Sequence, residues 1–147
     1  MNSQCYSYNP ESVSIDQCVF PHTISPLSTV TSHYNVECIE RYFNKDFPYY
    51  VAIHKINNAD FPQVYTEPHC HPSSEINVLI SEDENFKYEI MIGDETKIVG
   101  GNVSIYIPPN VMHSTNVLCG NGYYIAIRLE EQKVYSSVKN NHAQTER

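Results

Sequence analysis

From residue 49 to residue 129 the chain is a series of short runs of β-branched and aromatic residues separated by turn residues. Residues 49–56 (YYVAIHKI) stop at Asn57-Asn58, residues 64–66 lead to Pro68, residues 75–80 read EINVLI and residues 86–92 read FKYEIMI. Gly93-Asp94-Glu95 marks a turn before residues 96–99, residues 103–107 (VSIYI) stop at Pro108-Pro109, and residues 123–129 (YYIAIRL) close the series. Short strands about 8–12 residues apart with turns between them signal an antiparallel sandwich or barrel. Nothing alternates strand with a long helical segment, as a parallel sheet requires. Tyrosine is common at 12 against 5 phenylalanines and no tryptophan, and 9 prolines outnumber 5 glycines. Tyrosine is a strand residue with a polar end, and proline ends short elements, so composition also points to an all-β fold.

The 147 residues suffice for one domain with its own core. Residues 1–35 are polar and broken by Pro10, Pro21 and Pro26, which reads as an extended arm with at most one edge strand. Residues 36–129 form the barrel, and residues 130–147 a polar tail with a frayed end. Val36, Ile39 and Phe43 fall at i, i+3 and i+7 and predict a short helix over 36–43, although the same segment would serve as a strand. The arm holds too few apolar residues for a core of its own. Pairing with an exposed sheet edge of a second subunit would use it, and a homodimer is the expected assembly.

Charge removes several function classes. Lys and Arg number 9 against 17 Asp and Glu, a net charge of −8 with no basic run, which argues against nucleic acid as a partner. No apolar stretch approaches the ~20 residues of a membrane helix. Five cysteines with no Cys-x-x-Cys, behind an N-terminus without a secretory pattern, predict a reduced, cytoplasmic protein.

His69, His71 and Glu75 form H-x-H-x-x-x-E. On an unbroken strand these odd positions share one face and Cys70 points away; Pro72 cannot donate to a ladder, so a bulge or loop can intervene before Glu75. Two imidazoles and a carboxylate together suit a borderline metal ion. The H-x-H pair alone is weak, because roughly a third of shuffled sequences with this histidine content would contain one. Residues 101–113 strengthen it: a strand ends in Pro108-Pro109, turns at Asn110, which tolerates left-handed backbone, and delivers His113.

These residues resemble the two motifs of the cupin family. His69, His71 and Glu75 match the core of G-x5-H-x-H-x3–4-E-x6-G, and Pro108, Asn110 (for the usual Gly) and His113 match G-x5-P-x-G-x2-H-x3-N. The resemblance covers residues 48–129. Gln63 and Glu82 replace motif glycines, Gly101 stands one residue early unless Asn102 takes the turn, and Asn116 lies one residue short of the family's Asn. The resemblance implies an antiparallel jelly-roll β-barrel holding one divalent metal on His69, His71, Glu75 and His113. Fe(II) is the first choice, with Mn, Ni, Zn or Cu as alternatives. Open coordination positions would then suit a metal-dependent enzyme acting on a small metabolite, with dioxygenase chemistry expected for Fe(II). Lyase, isomerase or cyclase chemistry with another metal is the alternative, and a non-catalytic ligand-binding barrel is the reading from a different class. Glu75 is also the candidate catalytic base.

Among other residues, Cys70 reads as a plain buried thiol and His54 as a core or pocket residue, while His22, His33 and His142 lie in polar flanks and are expected to be solvated. Tyr88 and Tyr106 share the parity of apolar neighbours, so they are core packers first and substrate contacts second. Arg128 lies on the strand face opposite Ile125 and Ile127, with Tyr124 and Ala126. That face is read as solvent, or else Arg128 points inward as a carboxylate anchor, for which its planar fork is suited.

Overall fold

A computed structural model describes residues 13–131 of the chain. The first twelve residues and residues 132–147, including His142 and most of the expected tail, lie outside the described residues. Among the described residues eight strands follow in chain order: β1 (Thr23–Ile24), β2 (Ile39–Phe43), β3 (Tyr49–Ala59), β4 (Glu75–Ile80), β5 (Lys87–Ile92), β6 (Glu95–Val99), β7 (Val103–Ile107) and β8 (His113–Glu131). Every strand pair is antiparallel. The expected all-β architecture is what the chain forms. No α-helix occurs among the described residues, which hold two one-turn 3-10 helices, Ile15–Gln17 and Leu27–Thr29. No helix among them is long and apolar enough to cross a membrane.

The helix expected over 36–43 is a correction. Residues 39–43 are strand β2, paired with β3 from Ile39 opposite Ile56 to Phe43 opposite Ala52. Spacing at i, i+3, i+7 was a coincidence of side chains; what the segment buries is every second residue, Ile39 and Arg41. The arm also reaches the core: β1 pairs with β2, and Leu27 is buried.

The long strand β8 organises the rest. Its first part pairs with β5, which pairs with β6, while its second part lies between β3 and β4, giving the order β1-β2-β3-β8-β4-β7 for the main sheet. The change of partner falls at Gly120, whose φ is +92. A Cβ there would stand 2.6 Å from the backbone of Phe86, so only glycine permits this corner.

Register divides the interior into two ends. On β2, β3, β8 and β4 the inward residues run from Ile39, Ile56 and Leu79 at one end to Arg41, His54, Asn77 and Glu75 at the other. Phe86 and Val117 complete the apolar end, where each fully buried side chain contributes about 1.5–3 kcal/mol. A layer of tyrosines lies between the ends. Tyr88 and Tyr124 stack with centroids 5.2 Å apart, the Tyr65 and Tyr88 hydroxyls are 3.0 Å apart, and Thr115 donates to the Tyr124 hydroxyl at 3.1 Å. The high tyrosine content thus fills a core that is apolar in its rings and paired at its hydroxyls.

Candidate metal centre

The polar end carries the histidines. His69 and His113 exchange both backbone hydrogen bonds, at 3.0 and 2.8 Å, so the start of β8 fixes the segment before β4. His69 and His71 therefore sit in a loop held by one bridge rather than on an extension of β4, which begins only at Glu75. Pro72 accounts for the break. The loop is pinned on both sides: the Asn110 amide donates to the His71 carbonyl at 2.8 Å and the Leu129 amide to the Ser74 carbonyl at 3.0 Å. Asn110 and Asn102 have φ of 61 and 64, so asparagines take the left-handed turns where the family's motif has glycine.

One ring nitrogen from each of His69, His71 and His113 lies within 4.8 Å of those from the other two. Each Nδ1–H donates to a backbone carbonyl: His69 to Glu67 at 2.7 Å, His71 to Ser73 at 2.7 Å and His113 to Val111 at 2.9 Å. Because a carbonyl only accepts, these bonds put a ring proton on each Nδ1 and turn each Nε2 toward the shared space, the arrangement that metal ligation uses. Glu75 completes the set, with Oε2 2.8 Å from His71 Nε2 and 3.7 Å from His113 Nε2. His113 is 2 % exposed and its Nε2 has no hydrogen-bond partner. A buried lone pair facing a carboxylate is unfavourable unless a cation lies between them. The cavity has a volume of about 10 Å³ open to the centre of a water, room for about one water-sized body. Three imidazoles, one carboxylate and this space fit a single divalent ion of the borderline class.

Electrostatics favours the ligating forms. Burial lowers the His69 pKa, keeping the ring neutral. For Glu75, burial alone would raise the pKa, but His113, Asn77 and the Arg128 guanidinium outweigh it and hold the carboxyl well below the usual range. Asn77 Nδ2 donates to Glu75 Oε1 at 2.7 Å, and Arg128 Nε to Oε2 at 3.3 Å.

Beyond the four ligand candidates, the predicted residues divide. Arg128 points inward and lines the cavity with Tyr124 and Ala126, so the half-buried outward face of β8 is the one carrying Ile125 and Ile127. The solvent reading of that face is overturned, because the enclosed polar end takes the arginine while the aliphatic residues cover the outside. Tyr88 is fully buried behind Tyr124 as a packing residue. Tyr106 does not join the site: it is 60 % exposed on the outward face of β7, where alternation puts the residue next to buried Ile107. Cys70 is exposed rather than buried.

Two histidines read as solvated are half-buried, and further residues line the cavity. His33 is half-buried with its ring 5.5 Å from that of His69, and burial pushes its pKa down to about 4. His22, also read as solvated, is half-buried against Phe47. His54, read from the sequence as a core or pocket residue, is a buried cavity residue, with its pKa lowered to about 3 by burial and then by the Arg41 charge. Tyr50, Thr66 and Thr115 also line the cavity. Asn116 lies beneath it: Oδ1 accepts from the Tyr65 and Thr66 amides, each at 2.9 Å, and Nδ2 donates to the Thr66 carbonyl at 3.2 Å. Asn77 had a readable signal, two residues after Glu75 on one strand; His33 had none, since only the fold brings the arm to the cavity.

No protein-family model matches the chain. No curated protein matches it either. Similar solved structures include an RmlC-like cupin from Shewanella frigidimarina NCIMB 400 (14 % identity, 77 % of this chain and 95 % of that one, TM-score 0.46). KdgF from Halomonas sp. is 12 % identical over 76 % of this chain and 95 % of that one, with a TM-score of 0.49. The plu4264 protein from Photorhabdus luminescens is 18 % identical over 79 % of this chain and 92 % of that one, with a TM-score of 0.46. Likenesses at this level say nothing about substrate or reaction. By its two motifs, its antiparallel strands joined through β8 and the enclosure of His69, His71, Glu75 and His113 at one end, the chain has a cupin-type fold.

Proposed function

We propose that the chain is a metal-dependent enzyme that binds one divalent ion through His69, His71, Glu75 and His113 and acts on a small metabolite. The observation that carries this reading is the convergence of three imidazoles whose Nδ1–H groups are all committed to backbone carbonyls. When bound, the ion supplies Lewis-acid chemistry or, as Fe(II), the favoured ion, oxygen-dependent oxidation of the dioxygenase type. The protein's own part is to hold the ligands rigid. Asn77 and Arg128 fix the two oxygens of Glu75, and the ring of Tyr124 and Ala126 wall off the cavity from the core. Asn77 on Oε1, Arg128 on Oε2 and the two imidazoles facing Oε2 orient Glu75 toward the shared space, so ligation rather than proton transfer is the role we assign it. A reducing cytoplasmic setting and a homodimer belong to the same proposal. They are supported by the free thiols of Cys18, Cys38, Cys70 and Cys119, and by β1, the outer strand of the main sheet, where Ile24 is exposed.

Plasma mass spectrometry on untagged protein, beside His113→Ala, tests the metal. About one equivalent of metal, lost in the variant, is expected, and its identity selects the assay: oxygen uptake for iron, lyase and isomerase screens for zinc, nickel or manganese. If anaerobic reconstitution with each ion leaves the protein metal-free, the reading fails.

A further inference from the structure

At the polar end of the barrel positive charge exceeds negative. Arg41 is 3 % exposed, yet no carboxylate lies within 4.0 Å of it; the ion pairs among the described residues all involve Glu75, and its one arginine partner is Arg128. Arg41 Nη1 donates to Ser25 Oγ at 3.0 Å and Nη2 to the Tyr50 hydroxyl at 3.4 Å, its plane lies over Phe43, and Nε has no partner. The other face of this arrangement is Arg128, whose guanidinium lies 4.4 Å from the centroid of the Tyr50 ring. Arg128 spends only Nε on Glu75, and its two terminal amino groups make no hydrogen bond among the described residues. Of the two guanidiniums at this end, only that of Arg128 has a carboxylate partner. A chain with 17 acidic residues had acids to spare, and buried arginine is rare without one. Two more buried groups lining the cavity lack partners, His54 Nδ1 and Thr66 Oγ1.

We propose that this end of the barrel is an anion subsite, and that the small molecule engaged at the metal centre carries a carboxylate that pairs with the terminal amino groups of Arg128. The inference rests on the metal-centre reading and narrows its substrate class to small carboxylic acids. Arg128 presents the free edge of its fork, which matches a carboxylate with two parallel hydrogen bonds. Arg41 is a positioning residue: it holds the Tyr50 ring on which Arg128 lies and adds its charge to the field there.

Calorimetric titration of zinc-loaded protein with glycolate and pyruvate, each beside its neutral amide, tests the subsite. The acids are expected to bind at least about tenfold more tightly than the amides. Arg128→Gln should abolish that preference, and Arg41→Met should narrow the acid-to-amide ratio, a pattern that mere loosening of the fold would not give. Equal affinity for acid and amide, absence of binding by all four probes, or a preference that survives Arg128→Gln overturns the proposal. Zinc stoichiometry is read on the same samples. If zinc does not load, the metal centre fails, and the acid-to-amide comparison on metal-free protein decides the subsite by the same criteria.

Discussion

Asn116 offers the sharpest test of how the fold holds the metal centre. Its side chain is 9 % exposed and makes three hydrogen bonds to the backbone of Tyr65 and Thr66, three residues before His69. Replacing it with leucine keeps the volume and leaves two buried amides and one carbonyl unpaired. Each orphaned group costs about 1–3 kcal/mol, so the expected loss is about 3–5 kcal/mol once partial relaxation is allowed. For a domain of this size that corresponds to roughly 10 °C or more in Tm. Asn116→Asp retains the acceptor for both amides and loses only the donor to Thr66, so it should fall between wild type and leucine. Urea unfolding in the presence of a chelator measures this without a contribution from metal binding. Loosening residues 65–66 should also weaken metal affinity at His69 on titration back. Asn116→Leu within about 1 kcal/mol of wild type, or Asn116→Asp less stable than Asn116→Leu, would refute the assignment of these bonds.

Three further outcomes follow. Gly120→Ala forces a positive φ on alanine and a Cβ against the Phe86 backbone, so it should cost more than about 2 kcal/mol in urea unfolding or prevent folding. His54 has a folded pKa of about 3 against 6.5, so its neutral form contributes stability that is present above pH 6.5 and lost as pH falls toward 3. His54→Gln should therefore flatten the acid limb of a stability–pH profile; a limb as steep as wild type would contradict the burial argument. Added metal should raise Tm with the logarithm of its free concentration, about 1.4 kcal/mol per decade at saturation, in wild type and not in His113→Ala.

Residue pattern alone determined the fold class, because short β-rich runs punctuated by proline, glycine and asparagine have few ways to bury their faces. The four ligand candidates, His69, His71, Glu75 and His113, were named through the resemblance of two short segments to the cupin motifs, since the H-x-H pair alone is weak. The residue pattern misjudged residues 36–43, where period 2 and period 3.6 share too few apolar positions to be told apart, and only pairing with β3 decided for strand. Which face of β8 points inward was equally beyond it. Hydrophobicity favoured Ile125 and Ile127, but the register opposite Glu75 and His54 turns Arg128 and Tyr124 into the enclosed polar end. The approach of His33 from the arm, the support of the His69 loop by Asn116 and the burial of Arg41 without a carboxylate are tertiary facts. They join residues 16 to 50 positions apart, such as Arg41 with Ser25, Glu67 with Ser32 and Thr66 with Asn116. Local sequence carries strand propensity and ligand chemistry; the charge and shape of an enclosed cavity arise only when distant strands are brought into register.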